Sequence, residues 1–221
     1  MNKKVAFYTL GCKLNYSETS TIGRLFNKAG FDTVDFTNTP DVFVINISSP
    51  NTQGLRQLQT AENMTSFLQP LVDYKVKNKL PQPLLIKLSP DMNEVDLMNT
   101  LEISAKLGID GWILTNTTLS RPQENRFPTE GGLSGAFLTD RSRGVLKDAL
   151  QHIRNFKNNH LVVSAGGIMN EQEAYDRLEM GAHLLQVYSA LIFSAKAISG
   201  SFVTAVAKFW VVSGIRADCV K

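Results

Sequence analysis

Cysteine is nearly absent: only Cys12 and Cys219 occur in 221 residues. So sparse a supply excludes a disulfide framework and fits a reducing cytoplasm. Histidine is almost as scarce. His152, His160 and His183 show no metal-ligand spacing, so we expect no metal site and read all three as surface or structural residues. An excess of one charge is also lacking. The net charge is +3 and no Lys/Arg block exceeds a dipeptide, which offers no basic stripe to nucleic acid. Long hydrophobic runs are missing as well. The apolar stretch 202–212 contains Lys208 and is shorter than the roughly 20 residues that span a bilayer. The N-terminus lacks the apolar core of a secretory signal peptide. No Gly-x-Gly-x-x-Gly follows an early strand, which argues against a dinucleotide-binding sheet.

What is present is the composition of a globular protein, 43% hydrophobic and 19% charged. The length suffices for one α/β domain, though a complete eight-stranded barrel typically takes about 250 residues. Residues 4–10 read as a strand, 17–29 as a helix closed by Gly30, and 33–36 as a second strand. The apolar run 42–47 shows no alternation and reads as a strand buried on both faces. It ends abruptly in Ser48, Ser49, Pro50 and Asn51. A βα rhythm follows. Helix 57–76 is expected to bend or divide at Pro70, and strand 84–88 ends in Ser89-Pro90-Asp91. A helix capped by Asn93 and closed by Gly108 leads to strand 111–115, which ends in Asn116-Thr117-Thr118. A glycine-bearing loop and a helix marked by Leu146, Ala149, Leu150 and Ile153 lead to strand 161–165, ending in Gly166-Gly167. Asn170 and Glu173 start another helix in capping-box fashion, and 184–188 is the last clear strand. The predicted fold is α/β: a partial TIM-type (β/α) barrel with parallel strands, preceded by a βαβ segment. Such barrels bind ligands at the carboxyl ends of their strands.

Six motifs sit at those ends or in the loops beyond them: Asn46-Ile-Ser-Ser-Pro-Asn-Thr52, Ile86-Lys-Leu-Ser-Pro-Asp91, Thr115-Asn-Thr-Thr118, Gly131-Gly-Leu-Ser-Gly135, Ala165-Gly-Gly-Ile168 and Gln186-Val-Tyr-Ser-Ala190. In this order and near this spacing, the chain from about 41 to 193 resembles the C-terminal portion of dihydroorotate dehydrogenase. Ser49, where other members carry Cys, resembles the quinone-using class. The resemblance implies FMN-dependent oxidation of dihydroorotate to orotate in pyrimidine biosynthesis, with Ser49 as catalytic base. A free hydroxyl is a poor base, so Ser49 would need a hydrogen-bonded route for its proton. Asn46, Asn51, Asn116 and Thr117 would hold the substrate; amides both donate and accept, and match a pyrimidine edge without burying net charge. Asn46, Lys87, Thr115, Gly135, Gly167, Tyr188 and Ser189 match flavin positions. Lys87 would stabilise the anionic reduced ring, which also explains a cation in the middle of a strand.

The first 46 residues resemble a different family, the radical-SAM tRNA methylthiotransferases. The carrying residues are Lys4-Val-Ala-Phe-Tyr-Thr-Leu-Gly-Cys-Lys-Leu-Asn15 and Asp41-Val-Phe-Val-Ile-Asn46. One thiol, Cys12, cannot hold a four-iron cluster, and the Cys-x-x-x-Cys-x-x-Cys motif is missing. The expected organisation is therefore a hybrid: a methylthiotransferase-like βαβ segment at 1–46, a dehydrogenase-like barrel portion at 47–193, and an unassigned tail at 194–221. Upstream barrel strands with further flavin and substrate contacts do not appear, so flavin binding and turnover are expected to be impaired. The alternatives are a catalytically inactive hybrid or fragment that keeps only the fold, and methylthiotransferase-related tRNA binding. The partners implied are dihydroorotate and a quinone, without nucleic acid. The expected location is the cytoplasm, peripheral to the inner membrane if the family pattern holds.

Overall fold

The computed structural model describes residues 4–6, 32–34, 42–48, 61–122 and 130–190. The chain divides into two compact units, Met1–Phe43 and Val44–Lys221. In the first, strands β1 (Lys4–Ala6) and β2 (Asp32–Val34) pair in parallel, with Val5 opposite Thr33. The helix read at 17–29 lies outside the described residues.

The second unit follows the predicted rhythm. Its elements are β3 (Phe43–Asn46), α1 (Ala61–Lys77), β4 (Leu84–Leu88), α2 (Glu94–Leu107), β5 (Gly111–Leu114), a 3₁₀ turn at Gly135–Leu138, α3 (Thr139–Ile153), β6 (Leu161–Ala165), α4 (Glu171–Met180) and β7 (Leu184–Gln186). The sheet order is β3-β4-β5-β6-β7, and β4 through β7 pair in parallel. Sequential parallel strands linked by helices form the consecutive wall of a (β/α) barrel. Outside the sheet, α1 packs on α2, α2 on α3, and α3 on α4.

Local chemistry explains the boundaries. Asn93 accepts from the Asp96 amide at 2.8 Å, and Gly108 takes the left-handed conformation that ends α2. Asn170 and Gly181 do the same for α4. Helix α1 runs undivided through Pro70, so of the expected bend or division the division does not occur. Met64, Leu68 and Val72 are all buried on one face, so tertiary packing carries the turn whose hydrogen bond proline removes.

In-register residues place Leu85, Lys87, Ile113, Val163, Leu184 and Gln186 on one face of the sheet. Leu85, Ile113, Val163 and Ala165 form its apolar floor, with Leu161 and Leu184 packed against them. The other face carries Ile86, Leu88, Trp112, Leu114 and Val162, all buried. Trp112 also donates its indole N–H to Ser104 Oγ on α2 at 2.9 Å. Two strands separate β4 from β7, a span of roughly 14 Å in a flat sheet. Yet Lys87 Nζ lies 2.9 Å from Gln186 Oε1. The sheet therefore curls, with the Lys87 face concave, as a barrel requires.

Strand β3 departs from expectation. It alternates half-buried and exposed residues, with Val44 45% exposed, instead of being buried on both faces. It is the end strand of this sheet, so among the described residues only one of its flanks is paired.

Candidate active site

Because the strands are parallel, their carboxyl ends share one rim, and the strand-end motifs gather there. At the end of β3 the Asn46 side chain folds back over the chain. Its Oδ1 accepts from Ser48 Oγ at 3.0 Å and from the Ser48 amide at 3.3 Å. From the end of β5, Asn116 Nδ2 donates to Asn46 Oδ1 at 3.2 Å and to Ser48 Oγ at 3.0 Å. Asn116 Oδ1 in turn accepts from the Thr117 amide at 2.8 Å. Asn46, Ser48, Asn116 and Thr117 are thus one network joining two strand ends. Ser48 is fully buried and links the two amides, a role hidden in the sequence because its partner lies 68 residues away. Ser49 and Asn51, which follow it in the chain, lie outside the described residues.

Lys87 is half-buried on the concave face. Its partner there is the neutral Gln186 amide, and among the described residues no carboxylate lies within ion-pairing distance of it. Desolvation lowers its pKa from 10.5 to about 8. A cation so placed suits an anionic group brought by a ligand. Gln186 opens one of the six motifs, but its pairing with Lys87 across 99 residues of chain was not legible in the sequence.

Thr115 is buried; its amide donates to the Ala165 carbonyl at 2.7 Å and its hydroxyl to the Asn116 carbonyl at 3.0 Å. Asp91, from the Ser-Pro-Asp motif, secures the loop that follows. It accepts from the Thr118 hydroxyl and, at 2.8 Å, from the Leu119 amide, and it pairs with Arg141 Nε at 3.3 Å. Arg141 also donates to the Pro90 carbonyl at 2.9 Å and to Ser120 Oγ at 3.0 Å. The sequence placed Asp91 in a motif without giving it this role, and it gave no sign of Arg141.

On the far side of the rim, Ser189 Oγ donates to Ser134 Oγ at 3.0 Å, beside Gly135. A Cβ at Gly135 would come no closer than 3.8 Å to Ser189, and Gly135 has φ +77°, so glycine is needed there for its backbone, not for space. Tyr188 is 39% exposed at the rim. Gly167 has φ +72° and sits against the start of α3 with its carbonyl bonded to Thr139 Oγ1 at 2.7 Å.

The histidines are structural. His183 Nδ1 accepts from the Val162 amide at 3.1 Å, and burial lowers its pKa. His160 lies against Trp112 with ring centroids 4.8 Å apart, and His152 stands edge-on to Phe156. Among the described residues, no helix is long and apolar enough to cross a membrane.

The family model for dihydroorotate dehydrogenase matches residues 22–208, beginning inside the segment read as methylthiotransferase-like. A quinone-type dihydroorotate dehydrogenase from Nautilia profundicola is 41% identical over 160 residues, covering 72% of this chain and 42% of the relative. One from Natronomonas pharaonis is 37% identical over 162 residues, covering 72% and 43%. The chain therefore spans less than half the length of these curated relatives. A crystal structure of the Eimeria tenella enzyme in complex with ferulenol matches with a TM-score of 0.65 and 27% identity, over 80% of this chain and 51% of that one. A ligand-free structure from the same organism matches at TM-score 0.66 and 24% identity, a likeness of fold.

Proposed function

Since the chain belongs to the dihydroorotate dehydrogenase family, we propose that its strand-end site binds FMN and oxidises dihydroorotate to orotate, with a quinone as final acceptor. The observation that carries this reading is the network of Asn46, Ser48 and Asn116 immediately before Ser49. Asn46 Oδ1 takes up three donors from its own site, and among the described residues nothing accepts from its Nδ2. That amide is left to donate outward. A planar ring with carbonyl groups and a carboxylate is what such fixed donors recognise.

Dihydroorotate becomes orotate by losing a proton from one ring carbon and a hydride from its neighbour. FMN, when bound, supplies the hydride acceptor and the onward path to the quinone. Ser49 would take the ring-carbon proton and, being a neutral hydroxyl, pass its own proton on along a hydrogen-bonded route to solvent. Lys87 fits an anionic flavin because its cation has only a neutral partner on the concave face. Gly135, Gly167, Thr115, Tyr188 and Ser189 complete the flavin side, and Asn51 and Thr117 the substrate side. With a quinone as acceptor, this cytoplasmic protein would work at the periphery of the inner membrane.

The test is reconstitution of the purified chain with FMN, followed by dihydroorotate-dependent quinone reduction. Weak uptake of flavin, and turnover far below that of a complete enzyme that Ser49→Ala abolishes while flavin stays bound, are expected. A colourless chain that takes up no flavin would sink the proposal and leave a catalytically inactive barrel portion.

A further inference from the structure

The loop between β6 and α4 is held from beneath by a buried arginine. Arg177 on α4 is 0% exposed and directs its guanidinium towards the end of β6. Its Nε donates to Glu173 Oε1 at 2.5 Å and its Nη1 to Ser164 Oγ at 3.2 Å. Its Nη2 donates at 2.9 Å to both the Thr139 carbonyl and Ser142 Oγ, and reaches the Gly166 carbonyl at 3.5 Å. The Gly166 carbonyl also accepts from Ser142 Oγ at 2.7 Å, as the Gly167 carbonyl does from Thr139 Oγ1.

These bonds orient two successive peptide groups. In a trans peptide the C=O and the following N–H point in opposite directions. With the Gly166 and Gly167 carbonyls drawn towards α3, the N–H groups of Gly167 and Ile168 point away from it. Both residues are buried, yet among the described residues neither N–H has an acceptor. Buried donors of this kind call for a partner. The ion pairs around Arg177 cancel in charge: Arg143 and Arg177 face Glu173 and Asp176. Arg177 therefore acts on the loop through geometry more than through net charge.

We propose that Arg177, with Thr139 and Ser142, is a positioning residue that presents the Gly167 and Ile168 amides to the phosphate of FMN. The inference rests on the flavin reading above and deepens it. The loops after the last two strands are a common phosphate position in (β/α) barrels.

The experiment titrates the flavin-free chain with FMN and with riboflavin, which lacks the phosphate, and follows quenching of flavin fluorescence. The Arg177→Met/Glu173→Gln double variant removes both members of the buried pair, so that no lone charge is left behind. It should weaken FMN about tenfold, the loss of one charge-assisted hydrogen bond, and leave riboflavin within about twofold. Thr139→Val frees only the Gly167 carbonyl and should lower the FMN preference about threefold. It also serves as the decisive variant if the double variant does not fold. An equal loss for both flavins, or an unchanged preference in Thr139→Val, overturns the positioning role. Wild-type protein that binds neither flavin overturns the flavin reading, and this inference with it.

Discussion

Replacing Lys87 by Met should stabilise the flavin-free protein while removing its affinity for flavin. A folded-state pKa of about 8 against 10.5 corresponds to about 3 kcal/mol, at about 1.4 kcal/mol per tenfold change in proton affinity. That is the cost of holding the ammonium on the concave face at neutral pH. Met has similar length and would lie on the floor of Leu85, Ile113 and Val163. The lost bond to Gln186 offsets only about 1 kcal/mol, because Gln186 is exposed and water can take its place. A net gain of about 2 kcal/mol is expected at pH 7. The sign of the pH dependence follows from proton uptake. Between pH 8 and 10.5 the unfolded chain binds the Lys87 proton and the folded chain does not, so wild-type stability rises with pH through that window. Below about pH 8 both states are charged and the full penalty applies. Urea melts of wild type and Lys87→Met at several pH values isolate this effect, since other groups cancel in the difference. The variant's advantage should shrink from pH 8, vanish before pH 10.5 and there give way to a deficit of about 1 kcal/mol, the lost bond to Gln186. A difference that stays flat from pH 7 to 10.5 would refute the reasoning.

Two further substitutions separate crowding from backbone freedom, and a third tests the loop latch. In Gly167→Ala the new Cβ would fall 2.3 Å from Thr139 Cα at φ +72°, whereas a Cβ at Gly144 in α3 meets nothing within 4 Å. Thermal denaturation should show a loss of more than about 2 kcal/mol for the first and a gain of about 0.5–1 kcal/mol for the second. In Asp91→Ala the Thr118 and Leu119 contacts are lost and Arg141 is left without its carboxylate. A loss on the order of 2 kcal/mol in urea melts is expected, with weaker substrate binding because the loop that carries Asn116 and Thr117 is released.

The strand ends were legible because the chemistry there is local. Strands β4 and β6 have the bounds their apolar runs predicted, and Asn93, Gly108 and Asn170 cap as their residue types dictate. What stayed hidden depends on partners far along the chain. Gln186 meets Lys87 across 99 residues, and Ser48 meets Asn116 across 68. Arg177 sits in a charged stretch that reads as a solvated face. Its one local signal is that Glu173 and Arg177 share a helical stripe with the buried Ala174 and Leu178. The run 42–47 was misread for a related reason. A short apolar run indicates strand, but whether that strand is central or terminal is decided by its neighbours in the sheet.

The charged groups around the rim therefore divide by whether the protein supplies their partner. Asp91 has Arg141, and Glu173 has Arg143 and Arg177. These charges are matched, and their bonds to backbone carbonyls, amides and hydroxyls fix the loops after β4, β5 and β6. Among the described residues Lys87 differs, a desolvated cation that meets only a neutral amide. Matched charges that order a loop should lower both stability and binding when removed. An unmatched charge that waits for a ligand should raise stability and lower binding. Opposite signs for Lys87→Met and Asp91→Ala in the same melts would distinguish a site held ready for an anion from a rim that is merely polar.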